Sequence, residues 1–437
     1  MRIYHYMKLQ GAVHVWLALY LVACGFQSIL VLPFVGDKIQ IPEMIFVVLL
    51  MVILRQQGLE FLQKVKRFKD QTSLWILPLL WLFILIGSLI FNQSLEGWLE
   101  CIGVFYLLMV FITLLLLLSS MDFSNRIEFW FNCQLSLGWL MSITALIGYV
   151  FSWLFSSNLT AQVFFGYPYF GDVLRLQGFA TTPAMYVSII TVPIATCLWY
   201  HRQMKGGNGL VWSALFFSAV ATLSFSKSMI FIGWVWLVWI IHPFNRKTLL
   251  IWFLAFALFL IHLFFTHFLW VSNETLLHSD FSNSPYSSDE VIWKGEHHSL
   301  LGSGYYSFKQ TAWKIFRNHP WVGIGPGQYN KAVDQLKAAG HYPLHLASYD
   351  PHCSFLGALA TLGLAGGILF CLIWFLFLRK IQFAVNQSKL RIRNYLFLVT
   401  SIILFESVSM DVMNFRHYWI FAAFAIACTG NHTNERS

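Results

Sequence analysis

Asp350-Pro351-His352 stands directly before a run of apolar residues that begins at Cys353. Aspartate favours the N-cap of a helix and proline its first position. This spacing predicts that Asp350 caps a helix, Pro351 opens it and His352 lies in its first turn. There the positive end of the helix dipole favours the neutral imidazole, which can take a proton from a hydroxyl as a general base. The plainer alternative is an interfacial histidine that only caps or hydrogen-bonds.

Four cations, Arg175, Lys227, Lys309 and Arg317, are the second ingredient. Converging on one pocket they would suit a diphosphate, with arginine offering two parallel bonds. Lys227 stands in Ser226-Lys227-Ser228 between two apolar runs, where an ionisable side chain is a functional candidate. Taken singly, each cation has a plainer role, reaching to lipid head groups or pairing with a loop carboxylate. Lys309, Trp313 and Arg317 recur at helical spacing beside an apolar face of Phe308, Ala312, Ile315 and Phe316, which predicts a helix over 305–318. His319-Pro320 stops it, and Gly323, Gly325, Pro326 and Gly327 make a tight turn. That turn lacks the lysine ending and preceding strand of a nucleotide loop. Glu296-His297-His298 lacks companion ligands for a metal and reads as a solvated loop tip.

The elements that must position these residues are membrane helices. Of 437 residues, 58% are hydrophobic and 11% charged, against roughly a quarter charged in a soluble domain. The apolar residues come in blocks of about 20, enough to cross a bilayer as helices. The expected class is all-α, with about twelve spans. They fall near 12–34, 39–54, 73–91, 97–118, 129–155, 181–200, 209–225, 228–242, 248–271, 353–378, 394–411 and 416–430. The first block lacks a cleavage site and is expected to remain as a span.

Charge placement orients the layout. Lysines and arginines concentrate in alternate connections, as at Arg55, Lys64, Lys66, Arg67 and Lys69 and at Arg379, Lys380, Lys389, Arg391 and Arg393. The short connections on the other side hold only Lys38, Arg175, Lys227 and Arg416. The positive-inside rule then puts both termini in the cytoplasm. The net charge of +9 is therefore topological and does not mark a nucleic-acid surface. Six of the seven cysteines fall in expected spans, with no metal or disulfide spacing.

This layout divides the chain in three. Residues 1–271 hold spans one to nine, with a short outer loop near 156–180 that includes Phe170, Asp172, Arg175 and Gly178. Residues 272–352 form a large, partly helical outer loop, polar and expected to be mobile over Ser279–Ser288. Residues 353–437 hold the last three spans and a cytoplasmic tail. Loops this long with order of their own are usually functional. A transporter would need related halves and charges at mid-membrane. No repeat is visible, and Glu100 and Glu406 are the only acids that would serve it.

The run Asn318-His319-Pro320-Trp321-Val322-Gly323-Ile324-Gly325-Pro326-Gly327-Gln328-Tyr329 resembles the signature of the O-antigen ligase and polymerase superfamily. Its second part is His352-Cys353-Ser354-Phe355-Leu356, followed by Leu362-Gly363-Leu364-Ala365-Gly366-Gly367. Arg175-Leu176-Gln177-Gly178-Phe179 is similar to an upstream element of the family. The chain departs at Cys353, where the family commonly has Asn, and at Thr361, where it has an acid. Lys227 and Lys309 replace arginines, and Arg317 is a candidate to make good one of them. The resemblance implies a glycosyltransferase of the inner membrane with its site facing the periplasm. It would take a glycan from an undecaprenyl-diphosphate carrier to an acceptor hydroxyl, with no cofactor, nucleotide or metal. It implies His352 as the group that activates the acceptor. Arg175, with Lys309, Arg317 or Lys227, would hold the diphosphate. Transfer to lipid A-core, as a ligase, is the leading expectation. Polymerisation on another lipid-linked unit comes next, then transfer to a protein hydroxyl or transport of a lipid-linked sugar.

Overall fold

The computed structural model describes residues 2–28, 40–69, 76–155, 160–167, 171–204, 207–241, 267–274, 291–344, 350–383 and 390–429, with isolated positions between 257 and 264 and at 346 and 348. Its helices are α1 (Arg2–Ala23), α2 (Ile41–Lys69), α3 (Ile76–Phe91), α4 (Leu95–Ser119), α5 (Phe123–Phe155), α6 (Pro183–Gln203), α7 (Gly209–Thr222) and α8 (Met229–Ile241). They continue as α9 (Gly304–Asn318), α10 (Tyr329–Ala338), α11 (Ser354–Phe383), α12 (Leu390–Glu406) and α13 (Arg416–Thr429). Apolar stretches long enough to cross a bilayer lie in Leu95–Ser119, Phe123–Phe155, Pro183–Gln203 and Ser354–Gln382. Shorter apolar helices at Gly11–Ala23, Pro78–Ile90, Gly209–Thr222 and Met229–Ile240 stand where further spans are expected. The protein is thus mostly helical and built for a membrane.

Two buried polar hooks tie the bundle together. Arg126 donates from Nε to Leu118 O at 2.6 Å, from Nη2 to Met121 O at 2.7 Å, and from Nη1 to Ala427 O. One guanidinium so ties together carbonyls at or near the ends of α4 and α13. Deeper in, Trp130 Nε1 donates to Tyr395 Oη at 3.0 Å, and that hydroxyl also meets Thr196 Oγ1 at 2.8 Å. Both contacts satisfy polar groups that would otherwise be stranded in an apolar core.

The connections depart from the all-helical expectation. Strands β1 (Ala161–Tyr167) and β2 (Gly171–Leu176) form an antiparallel hairpin, with Gln162 opposite Arg175. Strands β3 (Phe268–Ser272), β4 (Val291–Lys294) and β5 (His298–Gly302) form a second sheet in the order β3-β5-β4. The ninth expected span, 248–271, lies largely outside the described residues, and its last residues are β3. Phe-Leu-Trp-Val suits a strand as well as a membrane helix, and pairing with β5 decides it. Ser279–Ser288 also lies outside the described residues. The eleventh expected span, 394–411, ends as a helix at Glu406. Asp411 then accepts from the Met413 amide at 3.3 Å and starts a separate short turn, Val412–Asn414.

Helix α9 runs over Gly304–Asn318, within a residue of the expected bounds. Phe308, Ala312 and Ile315 bury as the periodicity requires, in a small second core with Tyr329, Val333, Tyr342 and Ala360. This core fastens the 304–342 region to the first turns of α11.

Candidate active site

The β-hairpin brings Arg175 to the connection between α7 and α8. The Leu176 amide donates to Leu223 O at 2.9 Å, and Arg175 Nε donates to Ser224 O at 3.0 Å. These bonds seat Arg175 beside Lys227, three residues on. Between them Phe225 adopts φ 45°, a left-handed conformation that bulky side chains rarely take and that tends to accompany functional sites. Lys227 Nζ lies 4.5 Å from the centroid of the Tyr305 ring, a cation–π contact. Burial first, and the neighbouring Arg175 charge second, pull the Lys227 ammonium down from 10.5 to about 8.

Helix α9 supplies the next two groups from one turn. The Tyr305 ring meets both Lys227 and His352, with its centroid 4.5 Å from Lys227 Nζ and 5.5 Å from the imidazole. Lys309 Nζ meets His267 Nε2 at 2.6 Å, and burial lowers its ammonium as well. His267 is held by its own backbone, since its carbonyl accepts from the Ser303 amide at 2.8 Å. Arg317 sits two turns further along α9, exposed in its last turn. Eight residues of helix are about 12 Å of rise, so Arg317 does not join the cluster.

His352 itself is placed differently from the expectation. Helix α11 begins at Ser354, so Asp350 is not its cap and His352 does not lie in its first turn. The helix-dipole argument for a neutral imidazole therefore does not apply. Instead Asp350 closes a local turn: its Oδ1 accepts from the His352 amide at 2.8 Å and also meets the ring Nδ1. A short acidic side chain can bond its own backbone two residues on, and here it makes that turn. His352 takes φ 45°, and the imidazole rests against Tyr305 and, at 5.1 Å, Phe308. Burial raises the Asp350 carboxyl, but its bonds to His352 outweigh that and leave it below the usual carboxylate range. The contact of Nδ1 with Asp350 orients the imidazole ring. Phe225 and His352 are the two non-glycine residues with left-handed backbone among those described, and both border this cluster.

The glycine turn anchors the arrangement without touching it. Helix α11 is interrupted at Gly363, with φ 65° and ψ −157°. The turn docks into that break: the Ile324 amide donates to Ala360 O at 3.0 Å, Gly325 N to Thr361 O at 2.9 Å, and Leu364 N to Pro320 O at 2.8 Å. Gly327 N donates to Glu100 Oε2 at 2.8 Å, so Glu100 serves the turn. Glu406 accepts from Ser188 Oγ at 3.1 Å and from Tyr418 in the bundle.

Sequence reasoning overlooked Tyr305, His267 and Asp411. Asp411 fell at the end of an expected span, where an acid is itself a signal. Its Oδ1 accepts from Ser354 Oγ at 3.2 Å, two residues after His352. Burial, then Asp350 and Glu100, push its carboxyl up to about 7. His267 fell inside the expected span 248–271, where an ionisable side chain is a signal by the same rule, whereas Tyr305 carried none, because its role comes from contacts distant in sequence. His297 and His298 are exposed, and His298 stacks on Trp270. Arg175, Lys227, Tyr305, Lys309, His352 and Asp350 thus form one connected set. It joins a cationic side to an imidazole oriented by a carboxylate.

Residues 210–371 match the family model for O-antigen ligase. The matched stretch holds Lys227, Tyr305, Lys309, the glycine turn, His352 and Gly363, and stops short of Arg175 on the N-terminal side. The resemblance to the O-antigen ligase and polymerase superfamily therefore stands over this stretch, whose known members are glycosyltransferase-like enzymes. No curated protein matches the chain.

Proposed function

We propose that this protein is an O-antigen ligase-type glycosyltransferase of the bacterial inner membrane, with twelve spans, cytoplasmic termini and its site on the periplasmic side. It moves a glycan from an undecaprenyl-diphosphate carrier to a hydroxyl of lipid A-core. The observation that carries this reading is Tyr305, whose ring centroid lies 4.5 Å from Lys227 Nζ and 5.5 Å from the His352 ring. A diphosphate held by the cations would so lie next to the base.

In the step itself His352 Nε2 takes the proton of the acceptor hydroxyl as its oxygen attacks the anomeric carbon. The bond from that carbon to the diphosphate oxygen breaks, the configuration inverts, and the lipid diphosphate leaves with the electron pair. Arg175, Lys227 and Lys309 offset the charge that gathers on it, an effect worth several kcal/mol where water is scarce. Asp350 stabilises the imidazolium that forms.

A strain lacking the gene tests the assignment. A ligase leaves core lipopolysaccharide bare while lipid-linked polymer accumulates. Core capped by a single repeat unit overturns the ligase reading in favour of a polymerase using the same donor.

A further inference from the structure

The sheet β3-β5-β4 carries an aromatic surface that the transfer step does not use. Trp270 is paired with Leu300, and Leu300 with Trp293, so the three side chains rise on one side of the sheet. On the other side Ser299 and Leu301 are fully buried. Trp270 and Trp293 are 63% and 51% exposed, large fractions for side chains of this size. Their ring centroids are 5.7 Å apart, with planes 22° from parallel. Two strand spacings would separate them by about 9.6 Å, so the indoles lean together over Leu300. His298 extends the row, stacked on Trp270 at 5.8 Å. Gly295 makes room for this, because a Cβ there would lie 2.4 Å from the Trp293 ring.

The rim is polar and fixed. Glu296 and His297, in the turn between β4 and β5, are exposed next to the rings. Asn273 Nδ2 donates to Gly295 O and Glu296 O, each at 2.9 Å, and its Oδ1 accepts from Ser299 Oγ at 2.6 Å. The surface also runs straight into the candidate active site. Strand β5 ends one residue before α9, and His267, which touches Lys309, immediately precedes β3.

We propose that this surface seats sugar rings of the glycan chain whose reducing end lies at His352; the proposal rests on the glycan-transfer reading above. A pyranose offers one face of C–H bonds, slightly positive, to the negative face of an indole. It offers hydroxyls at its edge to groups such as Glu296 and His298. A row of stacked rings suits successive sugars of a polymer. Continuity with Lys309 through His267 puts that row where a chain leaving the diphosphate site would pass. A bilayer surface is the other natural home for exposed tryptophan. The carboxylate and imidazoles set among these rings favour a hydrated partner.

The test is calorimetric titration of the full chain in nanodiscs with the producing strain's surface polysaccharide, freed of lipid by mild acid. Trp270→Ala and Trp293→Ala are each expected to weaken binding about tenfold, one stacked ring being worth near 1.4 kcal/mol. Trp270→Phe should keep most of the affinity, and Arg317→Ala, which lies outside the cluster, all of it. Alanine variants that fold normally and bind like the parent overturn the proposal. So does quenching of Trp270 and Trp293 fluorescence by brominated lipid with no response to polysaccharide, which assigns the surface to the bilayer. Binding is measured without turnover, so a His352→Ala enzyme that still transfers sinks the transfer reading alone.

Discussion

Gly323 and Gly363 lie against each other's flanking backbone across forty residues of chain. A Cβ on Gly323 would fall 2.3 Å from the Thr361 carbonyl carbon, and one on Gly363 would fall 2.4 Å from that of Trp321. Both take positive φ, 69° and 65°. Gly340 shares the backbone, at φ 72°, but has nothing within 4 Å of its ideal Cβ. Gly340→Ala should therefore cost about 1 kcal/mol, the left-handed penalty alone. Gly323→Ala and Gly363→Ala should cost at least about 3 kcal/mol, since backbone must move as well. Thermal unfolding of the three variants in one detergent measures the difference; equal losses would mean that the turn does not dock into the helix break.

His352→Ala should abolish transfer while membrane insertion stays normal, and losses of 10²–10⁴-fold are typical for a general base. Asp350→Asn keeps the turn's acceptor oxygen but loses the charge behind Nδ1, so it should lower kcat by about tenfold or more with little change in donor KM. An Asp350→Asn enzyme with weakened donor binding and unchanged kcat would remove Asp350 from its orienting role.

Lys227 should make donor binding sensitive to alkaline pH. Its ammonium, brought down to about 8 by burial and then by Arg175, is charged below that pH and neutral above it. Donor KM is expected to rise as pH passes through 8. In Lys227→Arg, whose guanidinium stays charged, KM should remain flat. The stability contribution runs the other way. Between about 8 and 10.5 the unfolded chain holds a proton that the folded chain has lost, so this group's contribution rises with pH there. A KM profile identical in both proteins would exclude Lys227 from the donor site.

Lys309 and Arg317 share one helical stripe but should differ in consequence. Lys309 is half-buried against His267, whereas Arg317 is exposed two turns away. Lys309→Ala should cut transfer by about 10²-fold, Lys309→Arg should retain activity, and Arg317→Ala should lose less than about threefold. A larger loss in Arg317→Ala than in Lys309→Ala would reverse the assignment.

What the amino-acid sequence made legible follows from the range of the forces involved. Helix α9 was readable because Phe308, Ala312 and Ile315 repeat at 3.6 residues, and the helix bundle because lipid imposes long apolar runs. The sheet β3-β5-β4 was not, since Phe268–Ser272 and His298–Gly302 pair across about thirty residues that no local pattern spans. At the site, His352 and the cations were visible by type. The turn at Asp350 was misassigned because aspartate before proline serves a cap and a side-chain turn equally well, and tertiary contacts with Tyr305 and Phe308 choose between them. Tyr305, which joins the two sides of the cluster, had nothing to distinguish it from any other aromatic residue on an amphipathic helix.

The interruption at Gly363 leaves residues 354–362 as a rod of about two and a half turns, separate in direction from the long remainder of α11. That rod takes its bearing from backbone bonds to residues 320–325 and from Ser354, whose amide donates to Ser407 O at 2.8 Å. The imidazole, two residues before that rod, therefore takes its position from residues 320–325 and Ser407 more than from the direction of the long remainder of α11.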